Sequence, residues 1–205
     1  MTLIPAPRTS TDVEVVRLPD PVRRRLVTTA SAVHAAGLKS FGLLLAASDH
    51  PDFPFTASDV VFFDPLRNRR NDPAHRAAFE AQGEYFRSYD DAGFVADPGE
   101  VLEVFRRVEA SGLEAVAMFH AHRRQPANFS VIDFRLHNPA MPWHLIISLR
   151  DPENPVLRAF AVRKDPTDFG IGPDDGAEHS EQPYTGPEVT PLELAVSGVA
   201  TAAVA

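Results

Sequence analysis

Apolar positions along the chain switch between two periods, and the switching predicts its elements. Asp12–Leu18 (DVEVVRL) alternates as a strand does. Pro21 then suits the first turn of a helix running to about Ala36, with Gly37 as its stop. Within it Val22, Leu26, Ala30, Val33 and Ala36 share one face. Phe41–Ala47 is continuously apolar and short, the pattern of a strand buried on both sides. Val60–Phe63 is the next strand. PLRNRRNDPAH (65–75) is a polar loop, and HRAAFEAQGEYFRSY (75–89) has a helical composition.

Asp97-Pro98-Gly99-Glu100 predicts a helix start, with Asp97 as cap, Pro98 in the first turn and Glu100 reaching back. Val101, Leu102, Phe105 and Val108 form its expected buried stripe, and Gly112 ends it. Leu113–His122 predicts a central strand, followed by a turn-rich loop and a short helix from Ser130. Leu145–Leu149 and Leu157–Val162 predict two more strands around a DPENP turn. The expected fold class is α/β, a central mixed β-sheet sandwiched by about three helices in one domain. Residues 1–11 are expected to be a flexible leader and 12–164 the domain. Residues 165–205 are expected to be an acidic Gly/Pro-rich linker ending in a short apolar helix from Thr190.

Charge sharpens this division. The 205 residues carry a formal net charge of −8, yet residues 165–205 hold eight acidic residues and no Lys or Arg. The preceding body is therefore neutral. It offers no basic face for nucleic acid. Cysteine is absent, which excludes disulfides and thiolate metal sites. No apolar run approaches the roughly 18 residues of a membrane span, and MTLIPAPRTSTD lacks the pattern of a secretory signal. The expected location is the cytoplasm. The tail is open to reading as a linker, a homodimer contact or a decoy for a basic cleft.

Candidate chemistry concentrates in FHAHRRQPANFSVID (119–133). His120 and His122 stand two apart at the end of an apolar strand, so both point to one face. Asp133 follows after a loop long enough to fold back. Two histidines and a carboxylate suit a catalytic zinc, which keeps one position for water. The same ligand set serves non-haem iron, the alternative metal. Ser130 and Asp133 also fit a helix-capping pattern, which is compatible with a site.

The spacing H-x-H-x7-S-x2-D over His120, His122, Ser130 and Asp133 resembles the signature of the JAMM (JAB1/MPN/Mov34) metalloprotease family. FGLLLA, the stretch with Asn68, ADPGEVLEVFRRVEASGLEAVAMFHAH and WHLIISLRDPENPVLRAFAV are similar to that family's strands, loop and helix, over about residues 22–163. The resemblance implies an α/β sandwich of the cytidine-deaminase-like kind. It implies zinc held by His120, His122 and Asp133, with Ser130 donating to the oxyanion. It also implies hydrolysis of an amide bond by metal-bound water at the C-terminus of a ubiquitin-like or sulfur-carrier protein.

One departure bears on the chemistry. The family's general-base glutamate, three residues before the glycine of the first core strand, is here Lys39 before Gly42. A neutral lysine can act as base, because burial and a nearby cation lower its pKa. The alternative function is a metal protein diverted from peptidase work, acting on a small molecule or serving as a scaffold. Asp49, Glu80 and Glu84 are candidates for a substitute base. The family's proline after the second histidine is here Arg123, and its proline before the serine is Phe129; Arg123 and Arg124 are expected as a solvated turn, or as holders of a carboxylate or an acidic substrate tail. His137 and His144 flank a short loop and are expected at the surface, with one of them able to approach the metal cleft; Trp143 is expected in the core or cleft wall, and Asn68 holding a loop near the site.

Overall fold

The computed structural model describes residues 14–167 and 182–197. Seven strands form one curled sheet: β1 (Val15–Pro19), β2 (Phe41–Ala46), β3 (Asp59–Phe62), β4 (Glu114–His122), β5 (Trp143–Ser148), β6 (Val156–Val162) and β7 (Val189–Ser197). Their order is β1-β7-β6-β5-β4-β2-β3. β4 and β5 run parallel, as do β1 and β7, and the other pairs are antiparallel. The sheet is therefore mixed, as its sequence predicts.

Helix α1 (Asp20–Ala35) covers one face, burying Val22, Leu26 and Ala30 against Leu44, Phe119, Leu145 and Ile147. Gly37, at φ 80°, supplies the left-handed turn that ends this run. On the other face lie α2 (Pro73–Glu80), α3 (Glu84–Ser88), α4 (Pro98–Ser111) and α5 (Val131–Leu136). The single helical stretch expected over 75–89 is two helices, because Gly83 takes φ 132° between them. Helix α4 starts at Asp97, whose carboxylate accepts the Glu100 N–H at 2.9 Å. Glu100 does not reach back to its own cap. Its carboxylate accepts the Asp64 N–H at 2.6 Å and ties β3 to the helix. The buried stripe of α4 is Val104 and Val108, packed with Phe41, Leu43 and Phe94, while Leu102 and Phe105 are exposed.

Two expectations about the tail are corrected. Residues from Thr190 form a strand, not a helix. That strand fills the gap between β6 and β1, satisfying both edges at once. Pro191 lies opposite Phe160 of β6, before the register with β1 begins at Glu193, where a missing N–H is tolerated. Residues 182–184 are also built into the domain. The Tyr184 N–H donates to the Phe129 carbonyl at 2.7 Å, and Val131 N–H donates to Gln182 at 3.1 Å. The expected leader, the middle of the expected linker and the last eight residues lie outside the described residues. Among the described residues no helix is long and apolar enough to cross a membrane.

Candidate metal centre

β4 and α5 meet at one end of the sheet. Phe41 of β2 pairs with His120 of β4, and His120 pairs with Ile146 of β5. This register turns His120, His122 and His144 to the face opposite α1. β4 then ends, and residues 123–129 fold back so that Ser130 caps α5. The capping box is complete: the Ser130 hydroxyl accepts the Asp133 N–H at 3.3 Å, and Asp133 Oδ2 accepts the Ser130 N–H at 2.8 Å. The Ser130 hydroxyl itself donates to Oδ2 at 2.6 Å. Oδ2 is thus saturated by the helix start, while Oδ1 faces His120 Nε2 at 3.0 Å.

His120 Nε2 and His122 Nε2 stand 2.9 Å apart, and His122 Nε2 is 3.7 Å from Asp133 Oδ2. One ligand atom from each of these three residues lies within 4.8 Å of the others. The outer nitrogens are engaged. His122 Nδ1 meets the Pro126 carbonyl at 2.7 Å, and only a protonated nitrogen can make that contact. His120 Nδ1 meets His144 Nε2 at 2.8 Å. Burial lowers the His120 pKa to about 4 against the pull of Asp133. Burial pushes the Asp133 carboxyl up, but His120 and His122 outweigh it and hold the group well below the usual carboxylate range. The His122 lone pair and the Asp133 charge thus converge with His120 Nε2 in a largely buried space. A cation between them pairs with all three, so this donor set fits a metal ion.

The centre borders a cleft of about 200 Å³, lined among others by Lys39, Phe86, Phe94, His122, Arg123 and Asp133. Lys39 thus shares the cleft with the three converging groups. It is half-buried, and it has no hydrogen-bond or ion-pair partner among the described residues. Its ammonium lies 5.8 Å from the Phe94 ring centre. Burial lowers its pKa, with Asp133 and Asp91 pulling it back up. Gly42 is forced by close approach: a Cβ there would lie 2.0 Å from the Val61 carbonyl and 2.7 Å from the Phe119 ring.

Asp49, Glu80 and Glu84 do not line the cleft. Glu80 pairs with Arg76 at 3.1 Å and Glu84 with Arg87 at 3.0 Å, both on the surface. The segment around them contributes instead Tyr85, Phe86 and Asp91. Asp91 binds Arg123 at 2.6 Å and Arg124 at 2.8 Å. Arg123 and Arg124 are therefore carboxylate holders, and their partner is internal. Burial raises the Asp91 carboxyl, but the hydrogen bonds from Arg124 and Arg123 bring it below its usual value. Asn68 holds its loop as expected, accepting the Val95 N–H at 2.9 Å and the Arg70 N–H at 3.0 Å.

His137 and His144 are not at the surface. They are 0% and 1% exposed. His144 follows Trp143 in a strand buried on every residue, and the unbroken apolar run around it is the signal that its side chain is enclosed. Trp143 is core, its indole N–H donating to Pro54 at 2.8 Å.

The family model for prokaryotic homologs of the JAB domain matches residues 41–163, more than half of the chain. The chain belongs to the prokaryotic JAB family. Residues 41–163 of this JAB domain include both histidines of β4, the capped aspartate and the helix α4 beneath them. No functionally curated protein matches the chain. Among solved structures, a protein from Desulfitobacterium hafniense is similar at 22% identity and TM-score 0.55, over 89% of this chain and 93% of that one. A Salinibacter ruber protein is similar at 19% identity and TM-score 0.45, over 82% and 100%. A JAB1/MPN domain protein from Archaeoglobus fulgidus is similar at 10% identity and TM-score 0.42, over 88% and 98%.

Proposed function

We propose that this JAB domain is a zinc-dependent hydrolase that cleaves an amide bond at the C-terminus of a ubiquitin-like or sulfur-carrier protein. The observation that carries the reading is the convergence of His120, His122 and Asp133 beside a cleft. Zinc held there supplies Lewis acidity and a water acidic enough to ionise near neutral pH. Ser130 stands at the cleft, and its hydroxyl can turn from Asp133 toward an oxyanion. Lys39 takes the base position. Burial lowers its pKa, which favours the neutral amine that can accept a proton. Tyr85, Phe86 and Phe94 offer an apolar wall for an extended peptide tail.

Lys39 also favours a second reading, in which the metal is kept and the peptidase chemistry is lost. A protonated lysine is a poor base and repels a dication. The test separates the two. Protein purified without chelator is analysed for metal and assayed on a carrier protein with a short C-terminal extension after Gly-Gly. About one zinc per chain and extension removal that is abolished in His122→Ala supports the hydrolase. Metal without cleavage, together with activity gained in Lys39→Glu, supports the diverted protein. No bound metal overturns both.

A further inference from the structure

Behind the metal centre, on the side away from the cleft, two further histidines continue the row. His120 Nδ1 contacts His144 Nε2 at 2.8 Å, His144 Nδ1 contacts His137 Nδ1 at 3.0 Å, and His137 Nε2 contacts the Met141 carbonyl at 2.8 Å. Neither His137 nor His144 is among the three converging groups. Phe129 closes the row edge-on, with ring centres 5.3 Å from His144 and 6.4 Å from His137.

The carbonyl at the far end gives this row a direction. A carbonyl only accepts, so His137 Nε2 carries the proton and donates. A neutral His137 then offers a lone pair at Nδ1, and His144 Nδ1 must donate to it. That leaves His144 Nε2 as an acceptor, so His120 Nδ1 must donate. The lone pair of His120 is then at Nε2, the atom facing His122 and Asp133. Each of the three contacts between His120 and the Met141 carbonyl needs one proton and one lone pair, and with all three rings neutral only this ordering satisfies them. A protonated His144 would donate at both ends and turn the His120 lone pair away from the centre. His144 is enclosed, with the Phe129 ring against it, so such a charge would have no solvent. His137 is equally enclosed, and the Lys164 ammonium stands beside it, donating to the carbonyls of Phe134 at 2.9 Å and Arg135 at 2.7 Å.

We propose that His144 and His137 are positioning residues: a buried, proton-ordered relay running from the Met141 carbonyl locks His120 in the Nδ1–H tautomer and presents its Nε2 lone pair to the metal. The proposal rests on the metal-site reading above. Partners behind a ligating histidine fix its tautomer and orientation, and losing them costs about 10–100-fold in metal affinity.

The test has two arms. In the metal-free wild type, long-range proton–nitrogen NMR of the histidine rings should show His120 and His144 as Nδ1–H tautomers and His137 as Nε2–H. A His120 ring protonated at Nε2 and bare at Nδ1 overturns the relay, whether or not metal binds. In the second arm, zinc affinity is measured by competition with a chromophoric chelator. His144→Leu should bind about 10–100-fold more weakly. His144→Gln, whose amide oxygen can still accept from His120, should recover affinity to within a few-fold. Equal loss in the Leu and Gln variants, or none in either, overturns the proposal. If His144→Leu fails to fold, His137→Leu replaces it, and unchanged affinity there has the same meaning. A wild type with the expected tautomers but no zinc binding overturns the metal-site reading and the relay's assigned purpose together, leaving only the tautomer order standing.

Discussion

His120 Nε2 and His122 Nε2 lie 2.9 Å apart, and His122 has already committed its other nitrogen to the Pro126 carbonyl. A cation held between these nitrogens and Asp133 binds the folded chain alone. Zinc should therefore stabilise the fold. At a free concentration 100 times Kd the gain is about 2.7 kcal/mol. For a domain of this size that raises Tm by roughly 5–10 °C. Thermal melts with and without zinc check this, and His122→Ala should abolish the shift.

Lys39 brings an amine with no hydrogen-bond or ion-pair partner among the described residues into the cleft that borders His120, His122 and Asp133. Removing its charge should strengthen metal binding. Lys39→Met is expected to bind zinc on the order of tenfold more tightly at neutral pH, the size of a nearby like-charge effect. Chelator competition reads it directly. Unchanged binding in Lys39→Met would mean that the amine points away or is neutral.

Ser130 serves two structures through one hydroxyl: it caps α5 and it donates to Asp133. Ser130→Ala should cost about 1 kcal/mol of stability through the lost cap. Any amide hydrolysis should fall by about 10²–10³-fold, the scale of a missing oxyanion donor. Ser130→Thr should retain the cap. Denaturant melts and single-substrate kinetics separate the two effects.

Acid should weaken the metal-free fold in a defined window. Burial holds His120 and His137 near about 4, against roughly 6.5 in an unfolded chain. Between those values the unfolded state binds more protons. Stability is therefore full above about pH 6.5 and is lost as pH falls toward 4. The slope is about 1.4 kcal/mol per pH unit for each such histidine. Urea melts across this range check it, and His137→Gln should shallow the slope. A flat profile would sink the neutral relay.

Much of this was legible in the residues. The alternation ending in HAH placed both histidines on one face, and the Ser130–Asp133 pair read as a cap and as a site; it is placed to be both. Glycines at 37 and 112 marked helix ends because left-handed turns require them. What was hidden is non-local. Asp91 lies in a loop with no periodicity, and only the fold brings it to Arg123 and Arg124. His144 was assigned to the surface by residue type, although its neighbours in β5 are apolar on both faces. TPLELAV carries a helix-start pattern, and tertiary pairing overrides it because two strand edges await a partner.

That last strand has a consequence for how the chain assembles. Val15 pairs with Glu193, nearly the full length of the described chain away. Besides β7, β1 is tied on its other side by a single bridge to Thr56. During synthesis β1 is therefore largely unpaired until β7 has emerged. Closing so long a loop is slow, because its entropy is lost before the contacts reward it. Folding of this domain should finish with β1 and β7 meeting, after β4 and β5 at the centre of the sheet have already paired.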